Sequence, residues 1–135
     1  MPERVQMDQL KRLFEEFPEL ELAVLIGSRA TGKSHPGSDW DFAIQWQRTD
    51  KPWGWLGDTE NLRNRLARQL GVEDDVIDLV DLPTARLAIR DVTVNEGIPL
   101  KGDNTLAWRH FLQRTWRDME DYKWDEIYGT RRVPV

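Results

Sequence analysis

The chain has no cysteine, only two histidines, and no apolar run approaching the roughly 20 residues that a membrane-spanning helix needs. Without cysteine there is neither a disulfide framework nor a thiolate metal site. No charged-then-apolar leader opens the sequence, so the expected address is the cytoplasm and no membrane partner is expected. Positive charge is also scarce, because 19 Lys and Arg face 24 Asp and Glu, for a formal net charge of −5. Affinity for extended nucleic acid comes largely from Lys and Arg neutralising phosphates, so that partner is disfavoured and a compact nucleotide stays open. At 135 residues there is room for one core, which excludes an elaborate multidomain polymerase. No internal repeat, low-complexity tract or composition break divides the chain.

What the chain has in abundance is tryptophan, with seven residues at 40, 46, 53, 55, 108, 116 and 124. Buried aromatic area stabilises cores and interfaces alike, and core filling is the expected role for most of them. Met7, Leu10, Leu13, Phe14 and Phe17 recur at helical spacing and stop at Pro18, so an amphipathic helix comes first. Residues 22–26, LAVLI, read as a short buried strand. From Asp39 to Trp46 the pattern alternates, placing Trp40, Phe42, Ile44 and Trp46 on one face and Asp39, Asp41, Ala43 and Gln45 on the other. RTDKPWGWLGD reads as a loop, with Asp58 as N-cap of a helix that carries Leu62, Leu66 and Leu70 and ends at Gly71. VIDLV (76–80) is a third strand, Pro83 opens a further helix ending at Gly97, and Ile98-Pro99-Leu100 is a short extended piece. A last helix and a basic, Pro-containing tail, RRVPV, complete an α/β (α+β) domain with a short mixed sheet flanked by helices.

Two nucleotide sites compete for the segment GSRATGKSHPGSDWD (27–41). GSRATGKS matches a phosphate loop, which works because a helix starting at G-K-S aims its amides and dipole at the phosphates. Here Lys33-Ser34 run straight into His35-Pro36-Gly37, which favours a turn. The next strand then starts too soon for a parallel crossover of about a dozen residues. The second reading needs no such helix. Gly27, after a buried strand, lets backbone amides approach a triphosphate, and Ser28 can donate a hydroxyl to it. Asp39 and Asp41, two apart on one strand face, can share one or two Mg²⁺ ions. A third carboxylate is expected from a neighbouring strand. Asp78 is preferred because a buried charge inside VIDLV would be costly without a metal or partner, whereas Asp81, in opposite phase and nearer the strand end, suits a turn or cap.

GSRATGKSHPGSDWDFAI followed by DVIDLVDL resembles the minimal nucleotidyltransferase domain of the DNA polymerase β superfamily, over about residues 8–102, including VNEGIPLKGD. A freestanding domain this short is most similar to the MntA-type antitoxins of HEPN/MNT toxin–antitoxin modules. That resemblance implies a small polymerase β-like nucleotidyltransferase fold over residues 1–102; residues 103–135, where the resemblance fades, are expected to be a C-terminal amphipathic helix and tail packed on the same domain, with covering the nucleotide or docking a toxin as the other roles open to the helix. It also implies an Mg²⁺-dependent protein adenylyltransferase that moves AMP from ATP to tyrosine of a partner HEPN ribonuclease toxin, in a hetero-oligomeric complex. Gly27 and Ser28 would then hold the triphosphate, Asp39, Asp41 and Asp78 would be both metal ligands and catalytic groups, and ATP would be the substrate. Arg29 and Lys33 are pyrophosphate contacts or plain surface. His35 and His110, without neighbours at metal-site spacing, are expected to be structural. The alternatives are a small-molecule nucleotidyltransferase and a non-catalytic antitoxin that neutralises by binding.

Overall fold

The computed structural model describes residues 3–48 and 55–129. The tail RRVPV, most of the loop after Arg48, and Trp53 lie outside them. In chain order the elements are α1 (Arg4–Glu15), β1 (Leu20–Ile26), α2 (Ser28–Thr31), β2 (Trp40–Trp46), α3 (Leu56–Leu70), β3 (Ile77–Asp81), α4 (Leu87–Glu96), β4 (Ile98–Lys101) and α5 (Leu106–Tyr128). Single 3₁₀ turns precede and follow β3. The sheet order is β3-β2-β1-β4. β1 pairs antiparallel with both β2 and β4, while β2 and β3 run parallel. The crossover linking the parallel pair contains α3, as such a connection requires.

Alternation along the strands divides the core into two layers. On one face Leu20, Ala23, Leu25, Trp40, Phe42, Ile44 and Trp46 meet Leu10, Leu13 and Phe14 of α1 and Leu62, Leu66 and Ala67 of α3. On the other, Leu22, Val24, Ile26 and Ala43 meet Phe111 of α5, with Ile89 and Val94 of α4 alongside. Leu20 and Leu22 share a parity yet fall in different layers, because the β1–β2 register shifts between them. Phe14 anchors the first layer edge-on to Phe42, centroids 5.7 Å apart. Lys101 of β4 donates its Nζ to the carbonyls of Phe14 and Phe17 at 3.2 and 2.7 Å, adding a second donor to carbonyls that already accept the Phe17 and Leu20 amides. Burial there lowers the Lys101 pKa. Arg65 joins α3 to α1 through both oxygens of Glu16, and Arg90 joins α4 to α5 through Asp118 at 2.8 Å.

Several boundaries differ from the expectations. β3 begins at Ile77, because residues 74–76 form a 3₁₀ turn. Pro83 sits in a 3₁₀ turn over Leu82–Thr84, and α4 starts only at Leu87. α3 starts at Leu56, which places Asp58 in its first turn, where its charge complements the helix dipole, instead of at the cap. Gly71 ends α3 in the left-handed conformation, as expected. Four tryptophans pack fully or in part, at 40, 46, 55 and 108, whereas Trp116 and Trp124 on α5 are exposed. Leu106 and Tyr122 of α5 are exposed as well. That helix closes the core chiefly through Phe111, because its second half outruns the sheet.

Replacing Phe14 with Ala removes the ring that joins α1 to the sheet. Urea unfolding should show a loss of about 3–5 kcal/mol, a large share of the roughly 5–15 kcal/mol expected for the domain.

Candidate active site

β1 delivers the chain to Gly27, whose φ of +77° and ψ of −162° lie where residues with a Cβ are strongly disfavoured. A Cβ built there would lie 2.4 Å from Oδ2 of Asp41. Glycine is therefore demanded twice, by the turn and by the carboxylate pressed against it. The backbone then winds into the single turn of α2, where Ala30 and Thr31 donate to the Gly27 carbonyl at 3.0 and 3.3 Å. Ser28 opens this turn directly after Gly27.

No helix follows Lys33-Ser34. Instead His35–Ser38 make a tight turn, with the Ser38 amide donating to the His35 carbonyl at 2.9 Å and the His35 amide donating to Ser38 Oγ at 2.9 Å. The Gly37 amide donates to His35 Nδ1 at 3.1 Å, which gives this histidine the structural part expected of it. A phosphate loop is thus ruled out by geometry, and Lys33 stands exposed in a connecting segment. His110 is exposed on α5, in a separate cavity of about 700 Å³ lined also by Gln45, Arg48 and Arg114.

The carboxylates arrive from two strands. Asp39 is exposed and immediately precedes β2, one residue outside the strand that the alternation suggested. Asp41, the second residue of β2, is half-buried, and the parallel register places it opposite Asp78 of β3. Burial raises the Asp41 pKa. The charges of Asp78 and Asp39 push the same way, and a side-chain hydrogen bond with Asp78 adds to it. Asp41 thus senses both of the other carboxylates. Asp78 itself is exposed, which corrects the expectation of a buried charge. β3 is the edge strand, and its outer end opens to solvent. Asp81 pairs in register with Ile44 on the other face and leads into the 3₁₀ turn Leu82–Thr84, where its carboxylate accepts from Thr84 Oγ1 at 2.9 Å without capping a backbone amide, so of the turn or cap role expected it fills the turn. Among the described residues no three acidic or histidine groups are drawn into a ready-made metal cage.

Arg29 does not reach outward. Its guanidinium stacks over Trp40, 4.5 Å from the ring centroid. Its Nη2 donates to the Ser38 carbonyl at 2.8 Å and more weakly to that of Pro36 at 3.4 Å. Sequence reasoning missed Trp40 as part of the site because its alternation marked it only as core, and a cation stacked on a ring eleven residues further along the chain leaves no periodic signal.

A family model described as polymerase beta, nucleotidyltransferase, matches residues 8–105. A protein adenylyltransferase MntA from Aphanizomenon flos-aquae is 54% identical over 33 residues, a match covering 24% of this chain and 22% of that relative's length. Among solved structures, a chain of a toxin–antitoxin complex with AMP-PNP is similar at TM-score 0.68 and 24% identity, covering 94% of this chain and 97% of that one. A chain of a complex between tri-AMPylated Shewanella oneidensis HEPN toxin and MNT antitoxin is similar at TM-score 0.62 and 21% identity, covering 96% and 97%.

Two consequences can be measured. Because crowding and burial penalise ionised Asp41, its folded-state pKa lies above its unfolded value, and the stability it gives when protonated is lost as pH rises through the folded pKa. Asp41→Asn should therefore melt at higher temperature than the native chain at neutral pH with chelator present, as followed by circular dichroism. Gly27→Ala should destabilise the fold by clearly more than Gly71→Ala, whose glycine has φ +68° but open space around it. The latter should cost about 1–2 kcal/mol of left-handed strain, and the difference in urea midpoints reads the collision with Asp41.

Proposed function

The chain belongs to the polymerase β nucleotidyltransferase family, and we propose that it is an antitoxin acting as a protein adenylyltransferase, which transfers AMP from ATP to a tyrosine of a HEPN-family toxin bound in a complex with it. The observation that carries this reading is the convergence at one sheet end of the Gly27-Ser28 turn with Asp39, Asp41 and Asp78. The short, high-identity match to a protein adenylyltransferase supports it. So does the fold shared over nearly the whole chain with members of toxin–antitoxin complexes.

The residues fit Mg²⁺ in three respects. Their donors are hard carboxylate oxygens, the kind that divalent magnesium prefers. Burial first, and then the charges of Asp78 and Asp39, raise the Asp41 pKa, and a bound cation relieves that penalty on the ionised form. Gly27, by lacking a Cβ, lets the Asp41 carboxylate lie directly against the turn that would receive the triphosphate. Asp39, Asp41 and Asp78 would hold one ion or two. When bound, Mg²⁺ neutralises phosphate charge and lowers the pKa of the attacking hydroxyl.

Everything else falls to the chain's own groups, which position and stabilise charge. The Gly27-Ser28 turn receives the triphosphate, Ser28 by donating its hydroxyl, and exposed Lys33 is free to neutralise the departing pyrophosphate. The tyrosine oxygen forms a bond to the α-phosphorus as the bond from that phosphorus to the bridging oxygen breaks. Pyrophosphate leaves with the electron pair, and the tyrosine proton passes to Asp78, which faces solvent. A protein acceptor needs a docking surface, and α5 offers one in Trp116, Ile127 and Tyr128, which are 54, 72 and 51% exposed.

Incubating the purified partner with this protein, ATP and Mg²⁺ should add whole AMP units to a tyrosine, read by intact-mass and peptide mass spectrometry. Chelation, or Asp39→Asn combined with Asp41→Asn, should abolish the gain. Absence of any gain with the native protein refutes transfer, and undiminished neutralisation by the double variant identifies an antitoxin that acts by binding alone.

A further inference from the structure

The segment between the two halves of the site, residues 32–39, has no regular secondary structure, yet it must hold Asp39 in place. The turn over His35–Ser38 closes on itself through its own amides and the Ser38 hydroxyl. That fixes the turn's shape but not its position against the sheet. One side chain supplies the missing tie. Arg29 stands in α2 directly after Ser28, and its guanidinium donates to the carbonyl of Ser38, the residue before Asp39. It also stacks over the ring of Trp40, the residue after Asp39. The Trp40 ring is itself 5% exposed and lies parallel to Phe42 at 6.3 Å, so the platform under Arg29 is part of the rigid core.

We propose that Arg29 is a positioning residue, a clasp that brackets Asp39 on both sides and couples it to the Gly27-Ser28 turn. It does not contact the departing pyrophosphate. Its Nη2 is already engaged by two loop carbonyls, and its Nε is buried without an acceptor among the described residues. The pose also explains the residue type, since a planar guanidinium can stack on a ring while an in-plane N–H donates to the Ser38 carbonyl, whereas a lysine offers a point charge. The effect on rate rests on the transferase reading above. The effect on the loop does not.

The experiment compares Arg29→Lys and Arg29→Met with the native chain, with Trp40→Phe as a milder probe of the platform. Hydrogen exchange without nucleotide should be faster over residues 39–41, the segment that Arg29 ties to the sheet, in both arginine variants, and intermediate in Trp40→Phe. The kcat for transfer should fall on the order of 100-fold in both arginine variants, the scale of an ångström of misplacement, with KM for ATP nearly unchanged. A direct phosphate contact gives the opposite pattern: KM rises in Arg29→Met, Arg29→Lys restores it, and exchange over residues 39–41 stays native. That pattern overturns the proposal, as does native exchange in both arginine variants whatever the kinetics. Should the native protein transfer nothing, the transferase reading fails, and the exchange comparison still decides for or against the clasp.

Discussion

The structure turns on like charges held together at the end of a sheet. Parallel pairing of β2 with β3 sets Asp41 against Asp78, and Asp39 adds a third carboxylate just before β2. In an ordinary domain such crowding would be selected against, because each ionised neighbour makes the next harder to ionise. Here the surroundings enforce it. The β1–β2 pairing brings Ile26 opposite Asp41, so the chain leaving β1 meets that carboxylate at once, and only a residue without a Cβ can stand there. The two packed faces of the sheet supply the rigidity that keeps repelling groups from drifting apart. The sheet end thus carries a local electrostatic cost that the rest of the fold sustains.

Around that centre the remaining features sort by what they hold. The core under β2, built from Trp40, Phe42, Ile44 and Trp46, fixes the strand that carries Asp41. Lys101, Arg65 and Arg90 tie helices to one another and to the edge strand at a distance from the carboxylates. α5 binds the body through its first turns and then extends beyond it, leaving aromatic side chains at the surface. Isolated helical turns gain little stability from propensity alone. The outer part of α5 is thus the region with most to gain from packing against another chain.

Much of this was legible in the linear pattern. The alternation over 40–46 assigned each β2 residue to its correct face, and the Pro36-Gly37 pair foretold the absence of the helix that a phosphate loop needs. Asp78 and Asp81 were separable by phase alone, since successive strand residues must point to opposite faces. Less was readable where packing overrides local signals. Pro83 signals a helix start but opens only a 3₁₀ turn, and Leu106, Trp116 and Tyr122 share a helical period without sharing a core. Periodicity states which residues lie on one side of a helix. It is silent on whether anything covers that side.

The sequence by itself determined the residue types available to the site, the strands that carry them and the order in which they meet the chain, because these follow from local sterics and side-chain alternation. Only the tertiary structure decided which strands lie side by side, and hence that Asp41 faces Asp78 across a parallel pair and touches the space where Gly27 lacks a side chain. It likewise turned Arg29 from a free basic residue beside a phosphate turn into a brace over Trp40. The reason is common to both cases: contacts between distant residues are set by how whole layers pack, and packing is a property of the assembled chain that no short stretch encodes.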